Sequence, residues 1–238
     1  MPRGVAWLDR RFYPYSAANW DDLYFRQIVL AELDESSRVL DIGAGAGIVE
    51  EMDFRSQTSS VHGIDPDPRV LTNPFLDSAV VGVAESLPYP VDHFDVVVAD
   101  NVLEHLDSPS DVFAEVARVL RPSGVFLFKT PNRNHYMPRL ARATPHAFHA
   151  WINRRRGRKE VDTFPTHYLA NTPGQITSLA ASSGLVPERI ELIEGRPEYL
   201  RFNVMTYLPG IAYERLVNSS DRFSRYRIVL IASLRRRA

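Results

Sequence analysis

The feature that most constrains this chain is the stretch Arg38-Val39-Leu40-Asp41-Ile42-Gly43-Ala44-Gly45-Ala46-Gly47. Val39, Leu40 and Ile42 make an apolar run of the length of a buried strand. Glycines on alternate positions follow, and a backbone without Cβ atoms can turn tightly and come close to a ligand. Ile48-Val49-Glu50-Glu51-Met52 then reads as the start of a helix. A strand, a glycine-rich turn and a helix N-terminus together suit a nucleotide in a doubly wound sheet. The same residues also suit an ordinary strand-to-helix turn, so the rest of the chain has to decide.

The chain order supports an α/β fold. Ahead of the first strand, Trp20 to Leu30 has apolar residues at helical spacing with Asn19 as N-cap. Phe12, Tyr13, Tyr15 and Trp20 make this arm aromatic, fit either to cover a ligand or to pack a helix on the sheet. Ser60 to Asp67 is a second strand ending in an acid, and Ala79 to Val83 a third. Phe94 to Ala99 is a continuous apolar run suited to the centre of a parallel sheet. Asp100, Asn101 and His105 follow it, beyond a carboxyl end, where ligands bind in such sheets. Val112 to Leu120 is a helix with one apolar face, and Val125 to Thr130 a fifth strand. Thr172, Pro173 and Gly184 bound a further helix by cap, first turn and stop. Residues 189–194 and 225–234 read as closing strands, paired as a hairpin edge. The order is that of a doubly wound, Rossmann-like sheet.

Two segments depart from the pattern. Residues 131–171 form a connection longer than a strand-to-helix turn needs, and such connections are commonly lids or binding elements. It carries His135, His146, His149 and His167 and the basic run 154–159, a solvated loop or a contact for an anionic substrate or membrane surface. Residues 196–222 form a second, aromatic-rich insert.

Composition removes several functions. With 238 residues, a formal net charge of −1 and no cysteine, the chain has no global field for nucleic acid, no disulfide, no thiolate metal site and no cysteine nucleophile. No apolar stretch approaches the roughly 18 residues of a membrane span, and none near the N-terminus suits a signal peptide. A cytoplasmic protein is expected.

The glycines also separate classes of nucleotide user. A dinucleotide fingerprint is G-x-G-x-x-G. Gly43 and Gly45 fit its first two positions, but the third falls on Ile48, and Gly47 stands out of phase. A phosphate-binding P-loop would need Gly-Lys-Ser/Thr, which is absent. The acid Asp65 lies 18 positions past Gly47, near the spacing at which nucleotide folds place a ribose-binding carboxylate.

Val39 to Gly47 resembles the first motif of the class I S-adenosylmethionine-dependent methyltransferases. Asp65, Ala84-Glu85, Phe94-Asp95 through His105 and Arg118 to Gly124 resemble their later motifs in order. The resemblance spans roughly residues 38–130 and, more weakly, 172–195, and is nearest to the small-molecule group. It implies a seven-stranded sheet with the last strand antiparallel and helical inserts forming a lid. It implies one methyltransferase domain over residues 1–238: an N-terminal helical cap (1–37), a cofactor-binding half (38–130), the lid insert (131–171) and a C-terminal half (172–238) with the insert 196–222. The implied cofactor is S-adenosyl-L-methionine. Gly43, Gly45 and the neighbouring Ala44 and Gly47 would face its methionyl part, and Asp41 would orient the loop or approach its amine. Asp65, followed by Pro66, would hold the ribose, Ala84 and Glu85 would lie at the adenine, and Asp100 and Asn101 under the methionine end. Where relatives often carry an acid on the adenine amino group, this chain has Val83. The implied partner is a small-molecule acceptor, most simply through oxygen, with nitrogen or carbon as alternatives; nucleic acid and a membrane span are not expected, and peripheral membrane contact stays open. His105 is either the general base or a residue that packs and caps. Glu104, His105 and Asp107 are too few ligands for an expected metal. A non-catalytic binding module on the same fold is the alternative function.

Overall fold

The structure, a computed structural model, describes residues 3–16, 19–143 and 165–238. Seven strands form one sheet in the order β3-β2-β1-β4-β5-β7-β6: β1 (Arg38–Ile42), β2 (Ser60–Asp65), β3 (Ser78–Val81), β4 (Phe94–Asp100), β5 (Leu120–Pro131), β6 (Leu185–Ile193) and β7 (Val229–Arg236). β1 is inner, with Val39 opposite Val61 on β2 and Val96 on β4, both pairings parallel. The last strand runs antiparallel, so the sheet is mixed. Strands buried on both faces must be apolar throughout rather than alternating. β4 meets that demand with Val96, Val97, Val98 and Ala99 all buried.

Among the described residues the helices are α1 (Arg3–Phe12), α2 (Trp20–Leu30), α3 (Pro109–Val119), α4 (Tyr136–Ala143), α5 (Pro173–Ser183), α6 (Val204–Asn218) and α7 (Asp221–Ser224). The apolar face of α3 buries Val112, Phe113, Val116 and Val119. Phe113 meets the β5 rings Phe126 and Phe128 edge-on, at centroid distances of 5.6 and 6.1 Å. The ends of α5 follow the sequence: Thr172 Oγ1 accepts from Gln175 N at 3.3 Å, and Gly184 stops the helix at φ +79°.

One expectation is corrected. Gly47 does not open a helix; Glu50–Met52 and Arg55–Gln57 are isolated 3-10 turns. Isolated short helices are marginal without tertiary support. Here the tertiary support favours the turns: Arg26 from α2 donates to the carbonyls of Glu51 and Asp53 at 2.6 and 2.7 Å and lies over the Phe54 ring. Helix α1 is an element that the sequence reading did not contain.

The chain divides into two compact units. One comprises Asp21–Thr130, His167–Glu191 and Leu230–Ala238 and holds most of the sheet. The other comprises Met1–Trp20, Pro131–Thr166 and Leu192–Val229. In this second unit Val5 and Leu8 of α1 form a core with Tyr207 and Ile211 of α6. Asp9 accepts from Tyr207 Oη at 2.6 Å and from Arg201 Nε at 3.0 Å, which pins α1 to α6. Asn203 and Thr206 cap α6 reciprocally. The basic run 154–159, His146, His149 and the middle of the expected lid lie outside the described residues.

Candidate cofactor and active site

The loop after β1 is shaped by positive φ values at Gly43 (+74°), Gly45 (+53°) and Gly47 (+68°). Only glycine takes that region routinely. The three sites differ in what lies beyond the missing side chain. A Cβ on Gly43 would run into Val102, and one on Gly47 into Asn73 and Pro74. A Cβ on Gly45 would find nothing nearer than Asp65 Oδ2 at 4.0 Å. Gly45 therefore lines a cradle that a side chain would fill, whereas Gly43 and Gly47 are packed against protein.

Two groups hold this loop in shape. Asp65, at the carboxyl end of β2, accepts from Gly45 N at 2.9 Å through Oδ2 and from Asp67 N at 2.7 Å through Oδ1. These bonds engage one lone pair on each oxygen, and an ionised carboxylate has about four acceptor positions. Pro66 sits between the two acids and fixes the turn. Asn73, buried after the 3-10 turn Pro68–Thr72, donates through Nδ2 to the carbonyls of Ala44 and Gly45 at 2.8 and 3.3 Å. Asn73 was not among the expected site residues; its only signal in the sequence is the Asn-Pro turn dipeptide.

Acidic groups gather around the loop. Asp41 is buried on β1, and burial, then Asp100 and Asp65, push its carboxyl well above the usual range. Asp100 ends β4 and is raised to about 6 by burial and by Asp22 and Asp21, against the pull of Lys129. Asn101 follows at φ +54°, its Nδ2 donating to Asp100 Oδ1 at 2.8 Å. Lys129 on β5 is only 1% exposed. It pairs with Asp100 at 3.1 Å, with Asp21 at 3.2 Å and with Asp22. Burial works against its charge, but Asp100, Asp21 and Asp22 outweigh it and hold the ammonium above the ordinary lysine value. One buried cation thus serves three carboxylates, and Asp41 has no cation among the groups that shift it. Ala84 and Glu85 lie in the loop after β3, Ala84 buried, beside the exposed Val83.

His105 closes the 3-10 turn Leu103–His105 and is half-buried. Its Nε2 lies 3.8 Å from Oε1 of the buried Glu104. Glu104 Oε2 accepts from Thr130 Oγ1 at 2.9 Å, and Thr130 Oγ1 accepts from Asn171 Nδ2 at 2.7 Å. The backbone N–H of His167 donates to the Glu104 carbonyl at 2.7 Å and further holds the turn. The sequence placed His105 at the carboxyl end of β4 but gave no sign of this chain behind it. Thr130 and Asn171 are 41 positions apart. Among the described residues, no group of three or more His, Asp or Glu is arranged to hold a metal ion.

An open glycine cradle at Gly45, the Asp65 carboxylate at the end of β2 and the buried Asp41 lie together beside the carboxyl ends of β1 and β2. The methyltransferase domain family matches residues 15–167. The chain belongs to that family, the class I S-adenosylmethionine-dependent methyltransferases. It is 34% identical over 107 residues to a ubiquinone biosynthesis O-methyltransferase of Neisseria meningitidis, a match covering 41% of this chain and 45% of the relative. It is 38% identical over 112 residues to a probable S-adenosylmethionine-dependent methyltransferase of Mycolicibacterium smegmatis, covering 45% and 42%. The matched region is thus less than half the length of these relatives. The crystal structure of the YcgJ protein from Bacillus subtilis shares the fold at a TM-score of 0.57 and 19% identity, covering 90% of this chain and 99% of that one. Among the described residues no helix is long and apolar enough to cross a membrane.

Proposed function

We propose that this protein transfers a methyl group from S-adenosylmethionine to an oxygen of a small-molecule acceptor, with His105 as general base. The observation that carries the oxygen reading is the chain Asn171–Thr130–Glu104 behind His105. An imidazole backed by a fixed carboxylate is stabilised when it takes a proton, which is what an acceptor hydroxyl requires. The ubiquinone O-methyltransferase relatives agree with it.

The donor set fits the cofactor. Its sulfonium is an activated electrophile and supplies the methyl group. The residues of the chain bind and align. Asp65 accepts from the ribose hydroxyls, and the backbone of Gly43, Ala44, Gly45 and Gly47 admits the methionyl part. Asp41 and Asp100 offset its positive charge, while Ala84 and Glu85 flank the base. Asn101 keeps the Asp100 carboxylate oriented. His105 removes the acceptor proton, and Glu104 stabilises the resulting imidazolium.

Asp65→Ala should weaken S-adenosylhomocysteine binding by about 1.5–3 kcal/mol, the range for hydrogen bonds to a charged group; calorimetry on the folded variant checks this. Gly45→Ala should weaken the same binding at least about tenfold while costing about 1–2 kcal/mol of stability for a left-handed alanine. Gly43→Val should lose more stability, because strain is joined by overpacking against Val102 of about 1–3 kcal/mol; thermal melts separate the two glycines. Finally, binding should depend on pH. Asp100 has a pKa near 6 in the protein without ligand, and a cationic ligand favours its ionised form. Affinity should therefore rise with pH and be about tenfold weaker at pH 5 than at pH 7, as titration calorimetry across that range would show. A flat profile would separate Asp100 from the ligand charge. A methyl-transfer screen over phenols, catechols, amines and carbon acids tests the acceptor atom; transfer confined to amines or carbon would overturn the oxygen reading.

A further inference from the structure

The two units differ sharply in charge. The described residues of the unit containing α1 and α6 carry 12 arginines against 5 Asp and Glu. The other unit carries 11 Lys and Arg against 22 Asp and Glu. A chain with a net charge of only −1 thus concentrates positive charge, among its described residues, in one unit.

That unit also exposes an apolar helix face. On α6, Val204, Met205, Leu208, Pro209, Ala212 and Leu216 are all exposed, Met205 to 85%. The charged side chain exposed on this helix is Arg215, and its acid, Glu214, is buried. On α1, Arg3, Trp7, Arg10 and Arg11 are exposed and spaced to share one stripe, with Trp7 58% exposed. The acid of α1, Asp9, is engaged by Arg201 and Tyr207. Gly4 of α1 sits directly against Val204, where a Cβ would have no room. The two helices share the Val5, Leu8, Tyr207 and Ile211 core, so their outward stripes border one seam.

Contiguous exposed apolar surface marks an interaction site. Its chemistry selects the occupant. Valine, methionine, leucine and proline offer nothing to a phosphodiester, so the basic charge does not describe a nucleic-acid surface. A second copy would bring arginines to arginines. Tryptophan and aliphatic side chains fringed by arginine are the composition of a helix lying in the headgroup region of an anionic bilayer. We propose that α1 and α6 form a docking surface for an anionic phospholipid membrane, with Trp7, Met205 and Leu208 entering the acyl boundary and Arg3, Arg10, Arg11 and Arg215 meeting the headgroups.

The test is co-flotation of the full chain with phosphatidylcholine vesicles with and without about 30 mol% phosphatidylglycerol, at low and high salt. The chain should float with the anionic vesicles, at least about tenfold more than with neutral ones, and salt should weaken the association. Joint Arg3→Gln, Arg10→Gln and Arg11→Gln should lower the partition coefficient about 10²-fold, at about fivefold per surface charge. Joint Trp7→Ser, Met205→Ser and Leu208→Ser should lower it at least about tenfold. Both variants should keep the melting temperature and the affinity for S-adenosylhomocysteine, which shows that they fold. Equal flotation with neutral vesicles, absence of flotation, or triple variants that float like the parent would each overturn the proposal. So would a dimer that the serine variant dissolves while vesicles are ignored, which would assign the face to a second copy. Arginine-dependent capture of RNA without vesicle binding would also overturn it.

Discussion

His105→Ala is expected to lower turnover by about 10²–10⁴-fold, the usual contribution of a positioned general base. Affinity for S-adenosylhomocysteine should stay within about twofold, because a group that acts on the acceptor proton contributes to the transition state and not to cofactor binding. Stopped assays on a known acceptor and calorimetry on the same preparation check the two halves together. Glu104→Gln should give a smaller loss in the same direction, since it keeps the bond from Thr130 but removes the charge beside Nε2. A His105→Ala enzyme with near-normal turnover would leave alignment alone as the mechanism.

Lys129→Met should destabilise the protein by about 3–5 kcal/mol at neutral pH, the range for removing one member of a buried ion group. The change keeps the apolar stem of the side chain and deletes the cation shared by Asp21, Asp22 and Asp100. Asp22 and Asp100, already raised by burial, would then be raised further. A carboxyl raised in the folded state contributes stability that is fully present below its unfolded pKa, near 4, and is lost as pH rises through the folded value. The deficit of Lys129→Met should therefore shrink toward pH 4–5 and be greatest above pH 7. Adding Asp100→Asn should restore part of it. Denaturant melts over that pH range are the measurement, and a deficit under about 1 kcal/mol at pH 7 would show that the cluster is solvated rather than buried.

The sheet was legible in the sequence because its strands are written as apolar runs between turns. Val39 to Ile42 and Phe94 to Ala99 have no other use for their composition than a strand covered on both faces. The glycine loop was legible for the same local reason, since positive φ values at the alternate positions 43, 45 and 47 leave few alternatives to glycine. Failures came where long-range contacts decide. Ile48 to Met52 has helix-forming residues, but Arg26 takes the carbonyls of Glu51 and Asp53, and the segment forms only the 3-10 turn Glu50–Met52. Lys129 reads as the polar end of a strand, yet its partners lie more than 100 residues upstream in Asp21 and Asp22. Asn73 shows only an Asn-Pro turn dipeptide and Thr130 carries no motif, and their roles exist only because the fold brings the loop carbonyls and Glu104 to them. Helix α1 was missed because its apolar residues, Val5 and Leu8, are few and gain their meaning only against Tyr207 and Ile211 of α6.

Cofactor binding by the loop from Gly43 to Gly47, with Asp65, is measured by titration calorimetry of the full chain with S-adenosylhomocysteine beside the Asp65→Ala variant at pH 7. One saturable site is expected in the parent, and affinity about 10- to 100-fold weaker in a variant that remains folded. No binding to the parent, or equal affinity in both proteins, would contradict that expectation.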